Sequence, residues 1–316
     1  MNVMEFETRL HEMEETLENL KTMSKKDDVD LSKQIAELEK KLKTEREAVY
    51  ANLTPWQTVQ IARHGQRPVL EDYINLIFTD FVELHGDRRF SDDRALIGGF
   101  ATLGDQKVML IGHNRGNNVT ENIERNFGMA LPDGYRKALR LMELAERFGL
   151  PVVTFIDTPG AYPGVHAEER GQAEAIARNL TEMAKLKVPI VCIVTGEGGS
   201  GGALGIGVGN VILMLKHSIY SVISPEGCAS ILWRDGAFAE QAAEAMKITA
   251  QSLKKLGVVD EIVSEPLGGA HTDPEKTAKS VKAAILKHVK KLQKMDAETL
   301  KAKRFEKYAH LGVFKS

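Results

Sequence analysis

The sequence predicts an α/β layer structure flanked by helical segments, and three observations carry that prediction. From Ala95 onward, short β-type apolar runs alternate with amphipathic helical stretches, the pattern of a sheet covered by helices. Two successive units share one plan: a helix, a short proline-containing link, an apolar strand and a glycine-rich turn. Ahead of this region apolar residues recur at spacings of three and four, and behind it lies a lysine-rich helical stretch.

In chain order, Phe6, Leu10, Met13, Leu17 and Leu20 recur at alternating spacings of four and three. Leu31, Ile35, Leu38 and Leu42 repeat the pattern after the polar stretch 24–30, which predicts a helical hairpin over residues 1–53. Its apolar stripe is narrow, so packing on the protein's own body and an interaction role both fit. Residues 54–93 show helix-like periodicity in Tyr73, Leu76, Ile77, Asp80 and Phe81 and end in the turn-like Gly86-Asp87-Arg88. The main unit spans 54–272. Its strand candidates are 96–102, 108–113, 152–157, 190–195, 211–215 and 218–223, and its helix candidates are 134–148, 168–186, 238–246 and 250–256. If the strands at 152 and 190 are parallel neighbours, their glycine turns share the sheet edge at which ligands bind in open α/β sheets. Residues 273–316 predict a lysine-rich helical tail with a solvated charged face.

Composition narrows the function classes. With 316 residues, 43% of them hydrophobic, the chain can build a substantial core. A formal net charge of −2 leaves no overall basic field for non-specific nucleic-acid binding, so no nucleic-acid partner is expected. Residues 1–9 lack the apolar core of a signal peptide, and the longest apolar stretch, 203–215, is short and interrupted by glycine. A cytoplasmic protein without membrane attachment is expected. Two cysteines, Cys192 and Cys228, cannot make a four-thiolate zinc site and do not suggest a disulfide framework, so no metal is expected in this chain.

The most informative segment is Gly196-Glu197-Gly198-Gly199-Ser200-Gly201-Gly202, between an apolar run and a helix-like start. Five glycines in seven residues bare the main chain, and N–H groups at a helix start stabilise an anion or a polarised carbonyl oxygen. Gly196-x-Gly198-x-x-Gly201 resembles a dinucleotide fingerprint, but Lys216 and His217 stand where the ribose-binding acid belongs. Gly198-x-Ser200-x-Gly202 has the order of a nucleophile elbow, with Asp260 and His271 downstream, so a serine hydrolase using Ser200 is the alternative. In the first glycine turn, Asp157-Thr158-Pro159-Gly160 has the Asp-x-x-Gly of GTPases, yet no Gly-Lys-Ser or Gly-Lys-Thr exists to cradle phosphate. Two prolines, Pro159 and Pro163, stiffen that loop and Tyr162 offers it an apolar contact, so it serves equally as a structural turn or a ligand wall. His166, Glu168 and Glu169 suggest a metal only until the helix start is considered, where acidic residues are favourable without one. Ser224-Pro225-Glu226-Gly227 reads as another helix start on the same face.

These segments, taken in order, resemble one family: the alpha subunit of the carboxyltransferase component of bacterial multi-subunit acetyl-CoA carboxylase. The matching stretches are 125–129, 134–142, 155–164, 168–172, 196–204, 221–233 and 265–271, spread over about residues 55–272. The resemblance implies a crotonase-like spiral of β-β-α units whose backbone N–H groups form oxyanion holes. It implies transfer of a carboxyl group from carboxybiotin to acetyl-CoA, giving malonyl-CoA for fatty acid synthesis. It also implies partners: a beta subunit carrying the acetyl-CoA site and a zinc ribbon, in an α2β2 arrangement, with biotin carboxyl carrier protein and biotin carboxylase completing the system. By position in the motif, Gly201 and Gly202 are expected to present the oxyanion-hole N–H groups to the biotin ureido oxygen. Gly198, Gly199 and the loop Gly160, Ala161, Tyr162, Pro163 and Gly164 are expected to shape the slot. Biotin itself acts as the base in this chemistry, which leaves Ser200 a bystander and requires no catalytic His or carboxylate.

Overall fold

The computed structural model describes residues 4–26 and 30–312. The ends of the predicted hairpin and tail segments, 1–3 and 313–316, and residues 27–29 of the polar stretch between the hairpin helices lie outside the described residues. Two helices open the chain, α1 (Thr8–Lys26) and α2 (Ser32–Ala51), followed by α3 (Pro55–Ala62), α4 (Leu70–Ile77) and the strands β1 (Thr79–Glu83), β2 (Leu96–Leu103) and β3 (Gln106–His113). Then come α5 (Val119–Glu124), α6 (Pro132–Phe148), β4 (Val152–Thr158), α7 (Val165–Glu169), α8 (Gln172–Lys185), β5 (Ile190–Gly199) and α9 (Ser200–Leu204). The last part holds β6 (Val211–Leu215), β7 (Ile219–Ser221), α10 (Pro225–Trp233), α11 (Ala239–Met246), α12 (Ala250–Lys255), β8 (Glu261–Val263), α13 (Pro274–Leu292) and α14 (Ala297–Ala309).

One sheet organises these elements in the order β1-β2-β3-β4-β5-β6-β8, with β7 pairing the far end of β5. The first three strands are antiparallel and the rest parallel, β4 and β5 being neighbours in the same direction. Both faces are covered, which is why β4 and β5 read as continuous apolar runs rather than alternating ones. Val152, Ile156, Ile190, Cys192 and Val194 pack toward α6 and α8 with Tyr135, Leu141, Met142 and Met183. Val153, Phe155, Val191 and Ile193 point the other way, onto α4 and α13 with Tyr73, Ile77, Val281, Ile285 and Val289. The helices covering the two faces therefore come from widely separated parts of the chain.

Several boundaries depart from the sequence-based expectation. Asp80 and Phe81 belong to β1, not to a helix, because the chain turns extended at Phe78 and pairs with β2; there Gly99 comes so close that a Cβ would lie 1.9 Å from the Val82 carbonyl oxygen. The helix expected over 168–186 is broken: Gly171 takes φ +80° and α8 restarts at Gln172. β5 runs four residues further than expected, so Gly196–Gly199 form strand rather than turn, and the strand expected over 218–223 is only β7. The three-residue β8 carries too little apolar periodicity to be seen in sequence.

The flanks are anchored differently. Leu10, Leu42 and Tyr50 of the hairpin form a small cluster with Met4 and Ile61, and the Tyr50 ring meets His217 edge-on at 5.8 Å. In the tail, α13 buries Val281, Ile285 and Val289, while Lys279, Lys290 and Lys291 stay exposed, as a solvated face requires. The guanidinium of Arg304 on α14 is fully buried and donates to the carbonyls of Met183, Leu186 and Val188 at 2.6–2.9 Å and to Asn210 Oδ1 at 2.7 Å.

Candidate functional site

The parallel pairing of β4 and β5 brings both glycine segments to one sheet edge. Between Ile156↔Val194 and Thr158↔Gly198 the pairing slips, one residue of β4, Asp157, standing against three of β5. Such a bulge bends the strand and re-aims the residues beyond it. Its three residues, 195–197, are held by charged groups. Arg67 Nε donates to the Thr195 carbonyl at 2.6 Å, and the Glu197 N–H donates to Asp157 Oδ1 at 2.9 Å. Arg63 reaches the Glu197 carboxylate at 2.9 Å and that of Glu226 on α10 at 2.6 Å. Arg67 is itself buried in a two-point pair with Glu265, at 2.7 and 3.0 Å, and Glu265 also accepts the N–H groups of His217 and Ala270. Desolvation opposes ionisation of Glu265, but the Arg67 charge and its hydrogen bonds win and hold the carboxyl below its ordinary range.

The two glycine segments dock backbone to backbone. A Cβ on Gly199 would lie 2.1 Å from the Pro159 carbonyl oxygen, and one on Gly202 would lie 2.4 and 2.5 Å from the Gly160 carbonyl carbon and the Ala161 nitrogen. Gly198 faces the Tyr220 ring at 2.7 Å by the same measure, and Gly196 faces Asp157 Oδ1 at 2.4 Å. Gly201 differs. Its nearest neighbours are Ile176 methyls at 3.6 and 3.8 Å, so it has room where Gly202 has none. Glycine is thus needed at 199 and 202 to let the protein's own loop approach, rather than to leave space for a ligand.

That loop is well supported. Thr158 Oγ1 accepts the Gly160 N–H at 3.1 Å and donates to its carbonyl at 2.6 Å, closing the turn after β4. Tyr162 donates its N–H to Ala130, its ring lies over Gly164 and 5.1 Å from His166, and the buried Gln172 amide donates to both Ala130 and Tyr162 carbonyls. Pro159 and Pro163 are exposed, while Gly160 is buried and Ala161, Tyr162 and Gly164 are half-buried.

Past Gly199 the chain enters α9 with Ser200 at φ +51°, a left-handed conformation that costs a non-glycine residue on the order of 1 kcal/mol or more. No side chain caps this start, and the first N–H groups of a helix have no intrahelical acceptor. The N–H groups of residues 200–202 therefore lie at the edge shared with the 160–164 loop. Beneath them His113 is buried. Desolvation drives its imidazole down to about 3, against the pull of the Gly202 and Phe155 carbonyls, so it is neutral at pH 7. The site's donors are consequently main-chain dipoles rather than a titrating side chain.

The residues of a hydrolase do not assemble around Ser200. Asp260 accepts the Ile212 N–H at 2.6 Å and pairs with Lys307; Ile212 lies beside Cys192, near the opposite end of β5 from Ser200. His271 stacks on His64 at 3.9 Å near the Arg67–Glu265 pair. Burial lowers its pKa to about 4, with the neighbouring His64 adding to the shift. The serine hydrolase reading is therefore corrected: acid and histidine serve different parts of the scaffold. Sequence reasoning also missed Arg63, Arg67, Asp157 and Gln172 as supports of the site. Asp157 and Gln172 stood inside recognised segments, but nothing local in 63–67 signals a reach to residues 195–197. Among the described residues no group of three His, Cys, Asp or Glu side chains is placed to hold a metal, and no helix is long and apolar enough to cross a membrane. Both cysteines are free thiols.

Comparison with known proteins agrees with this geometry. In solved structures the fold is similar to transcarboxylase 12S, with a TM-score of 0.57 at 19% identity over 72% of this chain, and to the beta subunit of Pseudomonas aeruginosa geranyl-CoA carboxylase, with 0.56 at 16% over 77%. The chain spans 43% and 46% of those two longer chains. At these identities the likeness establishes the fold alone, a crotonase-like α/β fold. Among curated relatives, the acetyl-coenzyme A carboxylase carboxyl transferase subunit alpha of Geobacter metallireducens is 57% identical over 311 residues, 98% of either chain. That of Synechococcus elongatus is 55% identical over 312 residues, 99% of this chain and 95% of the relative. Residues 3–312 match the acetyl co-enzyme A carboxylase carboxyltransferase-like family, and this chain belongs to it as a carboxyltransferase alpha subunit.

Proposed function

We propose that the chain, acting with a beta subunit in an α2β2 assembly, moves the carboxyl group of carboxybiotin, delivered on biotin carboxyl carrier protein, to acetyl-CoA to form malonyl-CoA. Biotin carboxylase recharges the carrier in this reading, the assembly works in the cytoplasm, and any zinc resides in the beta subunit. Residues 54–272 form the carboxyltransferase unit, with 1–53 and 273–316 as its helical flanks. The single observation that carries the site assignment is the uncapped start of α9, where the backbone of Gly201 and Gly202 is fixed against the 160–164 loop by contacts too close for any Cβ at 202.

Biotin, when bound, supplies the transferable carboxyl group and the base. This chain holds its ureido oxygen with the N–H groups of Gly201 and Gly202, a neutral donor set suited to an oxygen that gains negative charge as the reaction proceeds. Their positions are set before substrate arrives, because the charged supports of residues 195–197 and the Thr158 turn fix both segments; removing one such donor typically costs on the order of 100-fold in rate. Gly198, Gly199, Gly160, Ala161, Tyr162, Pro163 and Gly164 form the walls. The test is co-expression with the beta subunit followed by a malonyl-CoA assay: co-purification and activity are expected from the pair and no carboxyl transfer from this chain alone. Activity of the chain by itself, or a stable monomer that ignores the beta subunit, overturns the reading.

A further inference from the structure

The turn Gly86-Asp87-Arg88, conspicuous in sequence, has no part in the carboxyl-transfer site. We propose that the cavity it forms with α6 and α8 binds a phosphate-bearing small molecule. The cavity encloses about 190 Å³, and five arginines line it: Arg88 and Arg89 from the turn, Arg136 and Arg140 from α6, and Arg178 from α8.

The turn is built to present its two arginines. Gly86 and Arg88 have φ +77° and +63°, and buried Asp87 accepts the N–H groups of Arg89, Phe90 and Ser91 through one carboxylate oxygen at 2.8–3.1 Å. Arg140 is committed to the protein, donating to the carbonyls of Gly86 at 3.1 Å and His85 at 3.2 Å. Its burial, and then the charge of Arg88, lower its pKa, so the cations repel one another. Arg136 donates to the Arg170 carbonyl and lies 3.9 Å from Glu174, and its buried Nε has no partner. The guanidinium groups of Arg88, Arg89 and Arg178 have no hydrogen-bond or ion-pair partner among the described residues. Three carboxylates, those of Asp87, Glu143 and Glu174, also line the cavity, leaving an excess of two positive charges in a chain whose overall charge is −2.

Like charges gathered around one concavity are costly unless an anion enters it. Arginine rather than lysine at all five cationic positions fits an oxyanion that takes paired N–H donors, which phosphate does. The cavity also touches the frame of the transfer site: Asn179 of α8 lines it and donates to the carbonyls of Gly205, just past α9, and of Tyr135 on α6, both at 2.9 Å.

Inorganic pyrophosphate titrated calorimetrically into the full-length chain in complex with its beta subunit, at physiological ionic strength, tests this. Saturable binding is expected, one per chain, weakened by about tenfold or more in Arg88→Gln/Arg178→Gln. Both side chains are exposed and unpaired, so the variant keeps the melting temperature of the parent. Arg178→Lys, which keeps charge but not the paired donors, also weakens binding. Absence of saturable binding to the unaltered protein overturns the proposal, as does an affinity unchanged in the double variant. Coenzyme A then separates the two sources of phosphate. Displacement of pyrophosphate, with a raised KM for acetyl-CoA at unchanged kcat in the double variant, supports the site as one for the phosphates of the substrate. Binding without displacement supports it as one for a separate phosphate-bearing effector.

Discussion

Gly201 and Gly202 are adjacent and chemically identical, yet their surroundings separate them. Gly202→Ala places a Cβ 2.4 Å from the Gly160 carbonyl carbon, so it pries the 160–164 loop away from α9. Gly202→Val does so further and is expected to lower malonyl-CoA formation by about 100-fold or more while also lowering the melting temperature, since the collision is with the protein's own backbone. Gly201→Ala meets only Ile176 methyls at ordinary contact distance and is expected to keep stability within about 1 kcal/mol and retain the N–H donor. Equal loss of stability in the two alanine variants, by thermal unfolding, contradicts this picture. Ser200 immediately precedes them and has no catalytic partner; Ser200→Ala is expected to retain activity within a fewfold, where a serine nucleophile would lose about 10⁴-fold or more. The glycine-rich pattern was visible in sequence. Which glycine faces open space and which faces a carbonyl was not, because the answer depends on a loop some 40 residues earlier, between Thr158 and Gly164.

At the level of elements, the segment at the end of β5 is placed by Arg63, which caps the C-terminus of α3, and by Arg67 in the turn after it. Arg67 and Glu265 are 198 positions apart, both essentially inaccessible, and their pair holds the Thr195 carbonyl. Arg67→Ala leaves Glu265 charged and buried without its partner and is expected to destabilise the protein by about 3–5 kcal/mol. Arg67→Met with Glu265→Gln is expected to recover part of that loss without recovering activity, because Thr195 remains without its donor. Chemical denaturation and the malonyl-CoA assay read the two effects separately; full activity in the double variant would count against a positioning role. α14 depends in a similar way on Arg304, whose guanidinium closes carbonyl groups at the C-terminal end of α8 and in the link to β5. Arg304→Ala strands those buried acceptors at a cost on the order of 3 kcal/mol or more, measurable as a shifted denaturation midpoint. The lysine-rich pattern of the tail revealed its solvated face, but a single arginine among many cations carries no local mark of being buried.

Across the whole molecule, buried histidines set the acid side of the stability profile. Burial lowers His113 to about 3 and His217 and His271 to about 4, below the unfolded value near 6.5. Below pH 6.5 the unfolded chain therefore binds more protons than the folded one, so their contribution is complete above that pH and is lost as the pH falls toward 4. Asp93 acts in the opposite sense: burial raises it to about 6 against the backbone N–H groups of Ala95 and Leu131, which favours the folded state as pH falls from 6 toward 4. The depressed histidines, among them His64, which burial also lowers, outweigh the raised carboxyls of Asp93 and Glu7, so the melting temperature is expected to fall between pH 6.5 and 4.5, with a shallower slope in His271→Gln. An unchanged slope in that variant would remove His271 from the account.

The amino-acid sequence by itself determined the alternation of strands and helices, the two glycine segments that follow the strands at 152 and 190, and the family, because these reside in local periodicity and in contiguous motifs; that β4 and β5 are parallel neighbours is a matter of sheet pairing. The tertiary structure alone decided where β5 ends, that Phe81 belongs to a strand, that Asp260 and His271 lie away from Ser200, and that Gly202 is a contact with Gly160 while Gly201 is not. Those outcomes rest on pairs of residues separated by tens to hundreds of positions, whose meeting depends on sheet register and helix packing rather than on any property of their immediate neighbours.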